Sequence, residues 1–512
     1  MPSPYYGLHP PFHLLSHVVY FHDWRYVDHG SIAWLSEDGQ NVPLVTRDAL
    51  PPMHYRYQDM PFGVRLVAQK ATKSEPVLTT EQARVPFLSG GSLIRDGGVY
   101  RLWYESLPEE AIGTPEAGLS NCLRYAESDD GVAWRMPELG IVEYNGSTRN
   151  NIVYGAMLTG GVNYHGGCVF LDPSAPSAER YKGFYLGYMS DAMWQEYCRK
   201  YPDDVDPFIG VPQGLFGAVS PDGLRWTPIC EPLVAQNSDT LNVCTYDTVA
   251  QRYVAYCRAW FYNRRTIACA ATEDFRHFPL PQPLLWPNAM MEPFDLWYCQ
   301  PKTLMPGTVD YHVMFPMRWS LQTDSFTFHL ATSPDRLTWG FVPDAGGRNA
   351  PVCEPGPPSS SGEACVIPGL GLVDLPGDRI GMLVTGWPVP HKHPRKPPMG
   401  HLVWATWPKD RLVALEAPTE GEFALWPLAI AQRTMRLNFR TKFTGHIEVE
   451  ACVDHRTPMP GRTFADCDRI SGDELDRVVT WKGESDIGHA EGQPVRLRFR
   501  MRSAELFAVR FR

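Results

Sequence analysis

Several carboxylates stand where short apolar runs begin or end, positions from which an acid can be aimed into a shared opening. Asp172 closes the run in VFLDP, and Asp239 opens DTLNVCTYD. Glu292 and Asp295 flank the start of a run in MMEPFDLWYCQ, and Glu363 precedes ACVIP. Two carboxylates facing one bond, one protonated and one ionised, can perform general acid–base cleavage. Structural duties compete for the same residues. Asp172 could simply open an Asp-Pro turn, and Asp239 could cap its strand. His165, in NYHGGCVF, lies shortly before Asp172 and could touch a substrate or be packed. Arg258 and Arg318 end the apolar runs YCRAW and FPMRW. They could orient carboxylates, bind an anionic group, or form ion pairs between neighbouring sheets. Trp297, Trp260 and Trp319 offer flat apolar faces, although most of the 16 Trp must serve packing.

Other chemistries find less support. A formal charge of −10 argues against a nucleic-acid partner, which needs a basic face. No apolar run approaches the ~20 residues of a membrane span, and the N-terminus lacks the basic start of a signal peptide. The 12 Cys are scattered without a CxxC pair. They read as buried free thiols of a reducing compartment, so a cytoplasmic protein is expected, with no metal and no cofactor. The basic loop HKHPRK at 391–396 reads as solvated. Self-association is left open.

The elements that would carry these residues announce themselves by repetition. YAESDDGVAW (125–134), GAVSPDGLRW (217–226), CAATEDFRHF (269–278) and LATSPDRLTW (330–339) share one phrase. An apolar strand is followed by Ser or Thr, an Asp, turn residues, then an aromatic four places after the Asp. VWATWPKDRL (403–412) is a weaker fifth copy. The Asp can accept hydrogen bonds from the turn's own N–H groups, and the aromatic opens the next strand. Further strands lie between the copies, in RDGGVYRLWYES, RYKGFYLGYM and RYVAYCRAW. The spacing predicts an all-β chain: a five-bladed β-propeller over 85–416, followed by a β-sandwich over 417–512. The first 84 residues are expected to cover or close the propeller.

Five segments carry a resemblance. They are RDGGVYRLWYES (95–106), YAESDDGVAWRMPELGIVEYNGSTRNNIV (125–153), VFLDPSAPSAERYKGFY (169–185), RYVAYCRAW (252–260) and DCDRISGDELDRVVTWKGESDI (466–487). Through them the chain resembles uncharacterised bacterial relatives of the family 32 glycoside hydrolases, the invertase and fructanase group. The resemblance implies a propeller followed by a sandwich and an acidic residue on the inner strand of each of the first three blades. These would be a nucleophile, a stabiliser within Arg-Asp-Pro, and a general acid. Asp172-Pro173 matches the second, with Leu171 in place of the Arg, and Asp239 stands where the acid would be Glu. FLSGGSLIR, the first inner strand, has no carboxylate; the nearest are Glu81 and Asp96.

The resemblance thus implies hydrolysis of a glycoside, such as a fructoside or arabinoside, at the propeller mouth. Asp172 would stabilise the transition state, Asp239 or Glu363 would donate the proton, and Glu292 completes the catalytic candidates. His165, Arg258, Arg318, Asp295 and Trp297 would bind the oligosaccharide. Two other readings stand beside it: a non-catalytic carbohydrate-binding propeller, and a sugar-acting lyase or transferase.

Overall fold

The computed structural model describes residues 11–35, 54–58, 60–107, 121–156, 158–159, 162–207, 209–210, 212–289, 291–356, 362–394, 396–453, 457–490 and 492–512. The protein is almost entirely β-structure, and its contacts divide it into two compact units. One comprises residues 70–341 and 348–409; the other comprises 1–69, 342–347 and 410–512.

The first unit is built from antiparallel sheets laid down in chain order. The first sheet uses Ser89–Asp96, Val99–Ser106, Cys122–Ser128 and Ile152–Gly155. His165–Leu171, Tyr181–Tyr188, Gln213–Ser220 and Thr227–Pro228 form the second, and Val243–Asp247, Arg252–Phe261, Arg264–Thr272 and Gln282–Leu285 the third. The fourth group is split. Asp295–Cys299 pairs with Met317–Ser320, which pairs with Ser325–Phe328, whereas Lys302–Leu304 and His312–Met314 belong to a separate sheet. Pro301 and Pro316 stand at the two breaks and donate nothing to a ladder, which accounts for the split. The last group joins Cys365–Pro368, Arg379–Trp387 and His401–Pro408, and its outer strand is Thr72–Lys73 from the start of the chain.

Neighbouring groups are stitched into a ring. Val169 N–H donates to Ser92 Oγ (2.8 Å), Asn242 N–H to the Gly166 carbonyl (2.6 Å), and Leu370 N–H to the Gly91 carbonyl (2.8 Å). The repeated phrase does what its residues suggest. Asp130, Asp222 and Asp335 each accept two backbone N–H groups of their own turns. Aromatics then tie one group to the next: the indole of Trp103 donates to the Gly223 carbonyl, and that of Trp404 to Gly131, both at 2.7 Å. Such bonds satisfy the indole N–H while its rings fill the space between sheets.

In the second unit, three long strands, Val413–Ala424, Met435–Cys452 and Arg496–Phe511, form a six-stranded sheet with Asp473–Val478, Arg65–Ala68 and Val18–Tyr20. Alternation places Ile447, Val449, Leu497 and Phe499 in its interior. Among the described residues no helix is long and apolar enough to cross a membrane.

Candidate functional site

The starts of the inner strands converge on a cavity of about 360 Å³, within the range of small-molecule sites. Ser89, His165 and Asp239 reach it from the first three groups, and Tyr298 and Ile367 from the last two. At its centre lies a row of three groups: Glu105, His165 and Asp239. His165 Nδ1 lies 2.8 Å from Glu105 Oε1, and its Nε2 lies 3.0 Å from Asp239 Oδ1.

Each member is fixed by local structure. Glu105 is the second-last residue of Val99–Ser106, where alternation turns it to the cavity side. One oxygen accepts from the Asn121 amide and the other from Gly166 N–H at 2.8 Å. Gly166 makes this approach possible. Its φ is +55°, and a Cβ there would come within 1.9 Å of the Thr240 carbonyl oxygen. Asp239 sits on a tethered segment rather than in a strand. Asn242 Nδ2 donates to the Ser238 carbonyl at 3.0 Å, and Gln236 donates to Asp206 (2.9 Å) and to the Arg258 carbonyl (3.0 Å).

Asp239 remains the open member, with its side chain 58% exposed. The hydrogen bond from His165 holds its carboxyl well below the usual carboxylate range, and the charges of His165 and Arg258 add to this. Burial opposes a charge on His165, but the charge of Glu105 and the bonds to both carboxylates override it and push its pKa up to about 10. At neutral pH the row is an imidazolium between two acids. The two contacts plus the width of one imidazole ring keep the facing carboxylate oxygens within about 8 Å, with the imidazole filling the space between them.

Arg258 stands behind Asp239. Its guanidinium donates to the Asp239 carbonyl (3.1 Å) and to Asn237 Oδ1 (2.7 Å), and lies 3.8 Å from the carboxylate. Burial and the neighbouring Arg265 lower its pKa to about 10. The opposite wall is aromatic. Tyr298, Phe326 and Trp387 line it, with His391 packed against Phe326 and Tyr298 at 4.7 and 5.1 Å between ring centres. Arg265 lies over the Tyr298 ring at 4.4 Å. An apolar, aromatic face opposite a charged one suits a sugar ring, which presents a C–H face and a rim of hydroxyls.

The remaining sequence candidates lie elsewhere. Asp172 is fully buried away from the cavity. It accepts from Ser174 N–H (3.0 Å), Ser174 Oγ (2.6 Å) and Tyr253 Oη (2.5 Å), with Lys182 Nζ at 3.5 Å. Glu363 is buried in an ion pair with Lys73, with His401 at 3.4 Å. Glu292, Asp295 and Arg318 line a second cavity, and Asp295 pairs with Arg318 at 3.3 Å. Trp297 is buried and stacks on Phe341 at 5.1 Å. The structure therefore brings together His165, Asp239 and Arg258, and adds Glu105. Glu105 lies on the strand after FLSGGSLIR. Its sequence signal was a single acid near the end of the otherwise apolar run LWYES.

No family model matches the chain. Two uncharacterized proteins of Mycobacterium tuberculosis are 40% identical to it over 73 residues, which is 14% of this chain and 23% of each relative. The matched stretch thus spans less than a quarter of those relatives. A family 32 β-fructofuranosidase of Bombyx mori is similar in structure at 12% identity and a TM-score of 0.40, covering 88% of this chain and 94% of that one. The catalytic domain of a family 62 α-L-arabinofuranosidase from Coprinopsis cinerea is similar at 8% identity and 0.43, covering 66% and 97%. An endo-arabinase from Bacteroides thetaiotaomicron gives 11% and 0.37, covering 65% and 96%.

Proposed function

We propose that this cavity binds the end of an oligosaccharide and hydrolyses its glycosidic bond, with furanosides such as fructosides and arabinosides as the first substrates to test. The observation that carries the reading is the Glu105–His165–Asp239 row opposite an aromatic wall. Asp239 is the ionised, accessible carboxylate, able to take a proton from water or to face positive charge on the anomeric carbon. His165 holds a proton at Nε2, and Glu105 steadies the ring from behind. A glycosidic oxygen that displaces Asp239 from Nε2 removes one of the two groups holding that proton. The proton then passes to the leaving oxygen as the bond to the anomeric carbon breaks. Water supplies the new hydroxyl and gives its proton to Asp239.

The test is a panel of aryl furanosides and oligosaccharides with the native protein, Asp239→Asn and His165→Gln. Asp239→Asn is expected to lower kcat by about 10²–10⁴-fold. His165→Gln should slow substrates with poor leaving groups far more than dinitrophenyl glycosides, which need no proton. Unchanged turnover in both variants would remove the row from the mechanism.

One observation favours a second reading, a non-catalytic sugar-binding cavity. At rest the imidazole of His165 is held by both carboxylates, which oppose release of its proton. Saturable binding that Asp239→Asn abolishes, with no cleavage of any panel member by the native protein, would select that reading.

A further inference from the structure

The three-stranded sheet of Asp295–Cys299, Met317–Ser320 and Ser325–Phe328 separates two environments. Residues opposite one another in an antiparallel ladder share a face. Leu296, Trp319 and Phe326 form one register row, whose face turns Phe326 to the cavity described above. Asp295, Ser320 and Ser325 form the adjacent row on the other face, with Arg318 and Thr327 beside them. That face lines a second cavity of about 470 Å³, large enough for a sugar ring.

Its polar groups are not paired off among themselves. The Asp295 side chain is 2% exposed and, among the described residues, Oδ1 has no hydrogen-bond partner, although Oδ2 faces Arg318 Nη1 at 3.3 Å. Arg318 Nε and Thr327 Oγ1 are likewise buried and unpartnered among the described residues. Leaving a buried acceptor and two buried donors unused is unfavourable by roughly 1–3 kcal/mol each, and water or a ligand entering the cavity would complete the set.

We infer that this cavity is a second binding site, specific for the vicinal diol of a neutral sugar. One hydroxyl donates to Asp295 Oδ1, and its neighbour accepts from Arg318 Nε while meeting Thr327. Charge excludes the alternatives. A phosphate or carboxylate would face Asp295 and Glu292, and a metal cation or amine would face Arg318. Only a ligand that is donor and acceptor on adjacent atoms suits both. The site does not depend on the chemistry of the first cavity.

The test is saturation-transfer NMR with D-galactose, D-fructose and L-arabinose, and with glycerol as a non-sugar diol. It is run on the native protein and on Asp239→Asn, Thr327→Val and Asp295→Asn. Sugar binding that survives Asp239→Asn and weakens about tenfold in Thr327→Val and Asp295→Asn is the expected result. Thr327→Val removes one unpartnered hydroxyl with little change of shape, so it remains informative if Asp295→Asn fails to fold. Binding that ignores Thr327→Val, or no binding that survives Asp239→Asn, overturns the inference. Glycerol binding as tightly as the sugars overturns the assignment to sugar.

Discussion

Asp239 and Glu363 occupy equivalent places, each just before the first strand of its sheet group, and they meet opposite fates. Asp239 is more than half exposed and meets the imidazole of His165 at 3.0 Å on the wall of the cavity. Glu363 has no exposed side-chain surface and holds Lys73. The cause is topological. The last group is completed by the N-terminal strand Thr72–Lys73, which brings its own cation into the ring. The Lys73 ammonium also donates to the carbonyls of Glu354 (3.1 Å) and Gly356 (2.7 Å), so its three protons are used. Asp239 instead meets His165 at 3.0 Å and Arg258 at 3.8 Å, both from strands of neighbouring sheets. A carboxylate at a strand entrance is therefore recruited for closure or left for chemistry according to what the rest of the chain places opposite it.

The largest effect that can test this contrast lies at the clasp. Glu363→Ala should destabilise the protein by about 3–5 kcal/mol, because it strands the Lys73 charge in a buried site. Urea unfolding measures it. Replacing both partners by apolar residues should recover much of the loss, and a single-variant loss under about 1 kcal/mol would show that the pair does not clasp the ring. Asp172→Asn comes next, at about 1–3 kcal/mol, since the amide cannot accept on every side as the carboxylate does from Ser174 and Tyr253. It should leave sugar binding in the first cavity unchanged. A drop in binding with no loss of stability would move Asp172 from the framework into the site.

These contrasts explain what could be read from the sequence. The Asp-turn phrase was legible because its information is local: Asp130, Asp222 and Asp335 bond groups two and three residues away. The site was legible only where a residue's own position decides its exposure, as with His165 and Asp239. Asp172 and Glu363 carry the same local signal, and their partners Tyr253 and Lys73 lie 81 and 290 residues away. Glu105 was hidden for the converse reason. It lies on a second strand, and only the register of Ser89–Asp96 against Val99–Ser106 carries it to the mouth.

The remaining effect concerns pH, and its sign follows from the row itself. His165 has its pKa raised from 6.5 to about 10 in the folded protein. Its stabilising contribution is therefore complete below about 6.5 and is lost as pH rises toward about 10. Asp239 is shifted the other way, so its contribution is present above its ordinary 3.8 and is lost as pH falls through the depressed folded value. Both are in force together from about pH 4 to 6.5. Because Asp239 is more than half exposed, screening keeps its part below about 1 kcal/mol. His165→Gln removes a group that binds more protons folded than unfolded between about pH 6.5 and 10. Melting temperatures measured at about pH 6 and about pH 9 should fall less in His165→Gln than in the native protein, while tyrosines and cysteines elsewhere contribute equally to both. Equal falls would mean that His165 carries no extra proton in the folded state, and with it the proton donor of the proposed reaction would be lost.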